Sequence, residues 1–188
     1  YASYVRALID RIGRVDSVSR VCELGARQMR MLVGFDRAMV YKFDTDGTGI
    51  VIAESASLDL ESYLGLRYPA SDIPRQARDL YKRNLLRIIS DVNDNGHPVV
   101  PTRNPQGEPL DLSLSVTRAV SPIHLEYLRN MGVEASMSVS IIRRGELWGL
   151  FACHNYTPRV LPYETRTAAE LFGQLFSFVL DQKDSDMV

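Results

Sequence analysis

Apolar residues fall into two kinds of spacing along this chain, and the switch between them decides the fold class. Val5, Leu8, Ile9 and Ile12 recur at the helical interval and form one face of a first helix. Val18, Val21, Cys22, Gly25, Met29 and Leu32 continue that interval, with Ser17 placed as its N-cap. From Arg37 the pattern shortens to strands. Residues 37–43 and 49–55 flank Asp44-Thr-Asp-Gly-Thr48, which reads as a hairpin connection. Residues 74–84 read as a helix, with Pro74 in the first turn and Ser71 or Asp72 capping it. Residues 85–91 form a further strand candidate. Residues 93–111, rich in Pro, Gly and Asn, read as a long irregular loop, and loops of that length are usually functional or mobile.

A helix over residues 121–131, strands over 135–143 and 146–156, and a last helix over about 162–182 complete the order. The last helix carries Ala168, Leu171, Phe172, Leu175 and Val179 on its core side. Helices first, an antiparallel sheet in the middle and a helix last predict an α+β domain. The central sheet is expected to have helices on one face and to leave the other to the crossover segments. No internal repeat divides residues 1–188, which read as one domain.

Composition narrows the function classes. Of 188 residues, 45% are hydrophobic and 24% charged, ordinary values for a globular domain with a sizeable core. A net charge of −1 gives no global field to favour nucleic acid or an anionic membrane surface. No apolar run approaches the roughly 18 residues of a membrane span, and the start of the chain lacks the apolar core of a signal peptide. Cys22 and Cys153 both sit in apolar patterns, so a disulfide framework is not expected and a reduced, cytoplasmic setting is. Tyr1 falls within a helical pattern, from which the chain is expected to be a piece of a longer one.

The chemistry concentrates in the second half. Ser136, Ser138 and Ser140 alternate with Met137, Val139 and Ile141, giving one hydroxyl face and one apolar face. The bland reading is a sheet with one solvated side. In the next strand Trp148, Leu150, Ala152 and His154 share one face, and Leu147, Gly149, Phe151 and Cys153 the other. The parity of the turn decides which face joins the serines. A three-residue loop Arg143-Arg144-Gly145 with Gly145 left-handed is expected, because it sets His154 beside the serines; a two-residue loop would bring Cys153 there. His124 and Tyr127, three residues apart, share a helix side with Leu128 and Met131, where a histidine is more often a satisfied buried residue than a ligand.

Arg87 and Arg118 are charges embedded in mostly apolar sequence, and each asks for a partner. Salt bridges are the ordinary explanation. The functional one is a ligand with two carboxylates, which guanidinium forks match bidentately. Tyr41, Tyr68, Tyr81 and Tyr127 supply aromatic surface with polar tips, suited to core edges or to a flat ligand. His97, His124, His154 and the two cysteines lack metal-ligand spacing, so no metal site is expected. A thiol hydrolase would need an activated cysteine, and both cysteines look packed.

Several of these segments, taken in order, are similar to those of bacterial phytochromes. They are Tyr68-Pro-Ala-Ser-Asp-Ile-Pro74, Arg87, Arg118 followed by Ser121-Pro-Ile-His124, Tyr127 with Asn130-Met-Gly132, and Leu147-Trp-Gly-Leu-Phe-Ala-Cys-His154. The likeness covers nearly the whole chain and rests on separated motifs agreeing in order and spacing. It implies a GAF-type domain that holds a linear tetrapyrrole (bilin), biliverdin in the bacterial members, in a pocket on the sheet face opposite the helices. By the same resemblance Asp72 offers its backbone carbonyl to the pyrrole nitrogens, while Ile73 and Pro74 shape the pocket wall. His124 sits beside the central pyrroles. Arg87 and Arg118 grip the two propionates, with Tyr81, Ser121, Ser136 and Ser138 assisting. Tyr41, Tyr68 and Tyr127, with Met131 nearby, line the cavity of the terminal ring, and His154 bonds that ring's carbonyl.

The resemblance further implies a red/far-red photoreceptor, adjoined by PAS-like and PHY-like domains and signalling to a downstream output such as a histidine kinase. No catalytic residue is expected in this stretch. One departure stands out. Plant and many cyanobacterial relatives attach the bilin through a cysteine just before the pocket histidine, where this chain has Ile123. Neither Cys22 nor Cys153 matches an attachment position, so the expectation is noncovalent biliverdin or a link through upstream sequence. The alternative is a bilin-free GAF signalling module that forms a homodimer through its first and last helices, using the apolar faces of Leu8, Ile12, Leu171 and Leu175, although such faces are more often simply core.

Overall fold

The computed structural model describes residues 2–14, 17–70, 73, 75–94 and 122–184, the side chains of residues 75, 122–125 and 184 excepted. Two helices open the chain, α1 (Ala2–Gly13) and α2 (Val18–Val33). The Ser17 hydroxyl caps α2 by accepting the Arg20 N–H at 3.1 Å, as its sequence position predicts. Strands β1 (Arg37–Phe43), β2 (Gly49–Ala56) and β3 (Arg67–Tyr68) follow, then α3 (Arg75–Arg83) and β4 (Leu86–Ile89). Helix α4 (Pro122–Asn130), strands β5 (Ala135–Arg143) and β6 (Glu146–Asn155), and α5 (Tyr163–Asp184) complete the order. The predicted long loop at 93–111 falls largely outside the described residues, as do Pro74 and the proposed caps of α3.

The six strands form one antiparallel sheet in the order β3-β2-β1-β6-β5-β4. Strand alternation sends Ala38, Val40, Ala53, Leu86, Met137, Val139, Ile141, Phe151 and Cys153 to one side, where all are buried. Helices α2 and α5 lie on that side and α1 packs outside them, so one continuous core joins sheet and helices. Within it Phe151 meets the Phe176 ring edge-on at 4.8 Å. The predicted fold class and the helix-covered face are both observed. β3, only two residues long, carries too little pattern to be read from sequence.

One expectation is corrected. The β5–β6 connection is a two-residue turn at Arg144-Gly145, with Arg143 paired to Glu146 and both turn residues at positive φ. That parity alone would carry Cys153 to the serine face. A register shift beside Ile141 and Ile142 inserts one extra residue in β6 and restores the other parity, so that Ser136 pairs with His154. Of the helix faces weighed for a partner, the commoner reading as core is the one observed. Leu8 and Ile12 are buried in this chain's own core, and Leu171 and Leu175 are half-buried against it.

Candidate functional site

The sheet's other face is built of cross-strand rungs, which the strand register reads off directly. One rung runs Ala56, Arg37, His154, Ser136 and Ile89 from β2 to β4. The next runs Glu54, Met39, Ala152, Ser138 and Arg87. Val51, Tyr41, Leu150 and Ser140 follow. Phe43, Gly49 and Tyr68 close the β1–β3 corner. The floor is therefore a strip of small or apolar side chains with hydroxyls and a guanidinium on the β4–β5 side and phenols on the β1–β3 side.

At the β4 edge, Arg87 donates to the hydroxyls of Ser138 (2.8 Å) and Ser140 (2.9 Å) and to the Asn84 carbonyl. Its guanidinium carbon lies 3.7 Å from the centre of the Tyr81 ring. Ser140 in turn donates to the Tyr81 carbonyl at 2.9 Å, so α3 is tied to β5 through one hydroxyl. A guanidinium matches carboxylates bidentately, so an arginine in this place suits an anionic ligand. At the opposite corner, Tyr41 packs on Tyr68 at 5.5 Å and Tyr68 on Tyr127 at 6.2 Å. Phe43 meets Tyr41 edge-on at 5.3 Å. The three tyrosines expected to share a cavity wall do come together, although they arise from β1, β3 and α4.

His154 is buried and lies beside Ser136 on the same rung. Ser136 and Ser138 are half-buried. Met131 joins a satellite cluster with Val92, Leu128 and Val133, next to Ile89 and Tyr156. The Ile73 carbonyl accepts from Arg78 Nε at 3.1 Å. Asp72, Pro74, Arg118 and Ser121 lie outside the described residues, as does the side chain of His124, whose backbone belongs to α4.

Two contributors were not singled out from sequence. Arg37 is buried on the His154 rung, paired with Glu54 at 2.5 Å and lying 3.9 Å over the Tyr63 ring. Burial works against its charge, but hydrogen bonds with Tyr156 and Glu54 outweigh it and hold its pKa above the usual arginine range. Arg78 bridges the Ile73 and Gly47 carbonyls and stacks 4.2 Å from the Phe43 ring centre. The signal for Arg37 was the one used for Arg87, a charge inside an apolar strand.

The cysteines take no part. Both are buried in the helix-side core. Burial pushes the Cys22 thiol up to about 12 despite the offsetting charge of Lys42, and raises Cys153 as well. Burial favours the neutral thiol in both, the opposite of the activated cysteine that a thiol hydrolase needs. Among the described residues no group of His, Cys, Asp and Glu is placed to hold a metal ion, and no helix is long and apolar enough to cross a membrane.

A family model described as GAF domain matches residues 17–180. Cyanobacterial phytochrome B of Nostoc sp. is 51% identical over 169 residues, which are 89% of this chain and 22% of that protein. A bacteriophytochrome of Pseudomonas aeruginosa is 51% identical over 162 residues, 86% of this chain and 22% of that protein. The chain thus spans about a fifth of the length of these curated relatives. Among solved structures, the chromophore-binding domain of an unusual bacteriophytochrome from R. palustris superposes with a TM-score of 0.93 at 44% identity, over 98% of this chain and 61% of that one. The chromophore-binding domain of Stigmatella aurantiaca phytochrome P1 superposes with a TM-score of 0.83 at 48% identity, over 93% and 57% of the two chains.

Proposed function

Because the chain belongs to the GAF domain family and is similar to bacteriophytochromes, we propose that its polar sheet face binds a linear tetrapyrrole, biliverdin, as the sensory unit of a red/far-red photoreceptor. The observation that carries this reading is the floor itself. A half-buried arginine with two serine hydroxyls stands on one side, a half-apolar strip in the middle, and a corner of three phenols on the other. An elongated conjugated ligand with acidic side arms needs that sequence of surfaces.

A bound bilin supplies light absorption and a double bond that light can isomerise. The chain's own residues do the rest. Arg87, held in its fork by Ser138 and Ser140, binds a propionate carboxylate; Arg118 serves the second. Ser121 and Ser136 add hydroxyls. His154 offers its imidazole to the terminal-ring carbonyl, and Tyr41, Tyr68 and Tyr127 exclude water around that ring. Asp72, Ile73, Pro74 and His124 close the central part. No cysteine of this chain reaches the floor, so the link is noncovalent or made from sequence beyond these 188 residues. We place the domain in a cytoplasmic multidomain sensor with PAS-like and PHY-like neighbours, a homodimeric arrangement and a histidine kinase output.

The test is direct. Biliverdin mixed with the purified protein should give a sharpened far-red absorption band that red light alters reversibly. A denaturing gel scanned for zinc-enhanced bilin fluorescence separates covalent from noncovalent pigment. No band at saturating biliverdin rejects the proposal and leaves the bilin-free signalling module in its place.

A further inference from the structure

Gly49 opens β2, pairs with Phe43 on one side and Tyr68 on the other, and has no left-handed backbone to explain a glycine. Its reason is steric. A Cβ on Gly49 would stand 1.9 Å from Tyr41 Cζ, 2.0 Å from its hydroxyl oxygen and 2.2 Å from Cε1. The Tyr41 phenol therefore lies in the space that any other residue 49 would fill. To regain van der Waals contact the ring would have to move by roughly 1.5 Å. Its other neighbours leave little room for that. Phe43 meets it edge-on at 5.3 Å and is backed by the Arg78 guanidinium at 4.2 Å, while Tyr68 tilts against it at 5.5 Å. Arg78 itself is anchored on the Gly47 and Ile73 carbonyls. The slot thus has one empty wall and two filled ones.

We infer that Gly49 is the positioning residue of the phenol corner, fixing where the Tyr41 ring stands and so how much room the corner leaves for a ligand ring. This rests on the bilin reading above for the identity of that ring. A side chain at position 49 pushes the phenol away from β2 and into the corner, narrowing it from the side that no ligand contact would reveal.

The experiment is a double-mutant cycle on Gly49→Ala and Tyr41→Leu, with Tyr41→Phe as a third background, read with and without biliverdin. Without pigment, Gly49→Ala should lower the thermal midpoint by roughly 5 °C, the effect of modest overpacking in a chain of this size. The loss should persist in Tyr41→Phe, whose ring carbons still collide, and vanish in Tyr41→Leu. With pigment, Gly49→Ala should shift the absorption maximum in the Tyr41 background and leave it unmoved in Tyr41→Leu. Equal midpoint losses in all three backgrounds overturn the slot, as does an unshifted band in pigment-loaded Gly49→Ala. Failure of the unsubstituted protein to take pigment sinks the bilin reading alone, because the pigment-free cycle still decides the slot.

Discussion

Replacing Glu54 with glutamine is the sharpest test of how the site floor is held. Glu54 pairs with Arg37, whose side chain is 1% exposed against 9% for its own. Its two oxygens also accept from the Ser62 hydroxyl and the Tyr63 N–H, each at 2.9 Å, so one carboxylate fastens residues 62 and 63 to the sheet. Glutamine keeps the shape and one carbonyl acceptor but removes the charge. Arg37 then keeps the Tyr156 hydroxyl at 3.2 Å and the Tyr63 ring, neither of which neutralises it. Uncovering a buried charge in this way costs about 3–5 kcal/mol. The surviving acceptors place Glu54→Gln near the lower end, about 3 kcal/mol, a large part of a domain's stability of roughly 5–15 kcal/mol.

Urea unfolding measures the loss as a shift of midpoint at constant slope. Adding Arg37→Met to Glu54→Gln should restore most of it, because an apolar side chain leaves no charge to strand. The Arg37 pKa is raised, so its contribution is complete below the ordinary arginine range and lost only above it; the same loss should appear at any pH of about 6 to 9. A loss below about 1 kcal/mol, or a double variant less stable than Glu54→Gln, would refute the reasoning.

Arg87→Lys keeps the charge but loses the fork that reaches Ser138, Ser140 and the Asn84 carbonyl together, and should weaken biliverdin binding by about tenfold or more in an absorbance titration. Unchanged affinity would count against carboxylate capture at Arg87. Cys22 and Cys153 should alkylate at pH 8 at least about a hundredfold more slowly than a free thiol, and in step with urea unfolding. Rapid labelling of the native fold would contradict their burial. Because burial lifts Cys22 from 9.0 to about 12, the unfolded chain loses its proton first, so stability should fall as pH rises across that window. Ser17→Ala removes the cap on Arg20 N–H and should cost about 1 kcal/mol, with Ser17→Asp retaining most of it.

Element existence was legible wherever burial repeats at a fixed interval. Val5, Leu8, Ile9 and Ile12 all point into the core, and Ser17 caps where its hydroxyl can reach the first turn. What sequence could not supply was the compensation between two local irregularities. The Arg144-Gly145 turn is even and the strand slips once beside Ile141, so His154 reaches Ser136 by a route opposite to the one expected. A bulge has no pattern of its own, since it only displaces the pattern that follows. Gly49 was similarly hidden, because a glycine flanking a hairpin connection reads as turn chemistry until the Tyr41 ring is seen against it. Tyr41, Tyr68 and Tyr127 were legible as a set through family resemblance, and would not have been through spacing, since three separate elements bring them together.

The second face of the sheet also bears on an ambiguity that alternation alone leaves open. Serines alternating with apolar residues fit a sheet that simply shows one side to water. A solvated side, however, would leave its polar groups exposed, whereas here Arg37, Ser140 and His154 are buried and Ser136, Ser138 and Arg87 are half-buried. Burying polar groups is unfavourable unless each finds a partner, so such a face persists only where something covers it and supplies those partners. Part of the cover is visible in α3, whose Tyr81 carbonyl accepts a hydrogen bond from the Ser140 hydroxyl and whose Tyr81 ring receives Arg87. The Tyr63 ring over Arg37 is another part. Both leave, among the described residues, a floor that carries a cation, hydroxyls and phenols along one strip rather than apolar residues alone. On the reading proposed above, a bound ligand along that strip is the physical reason to keep it so.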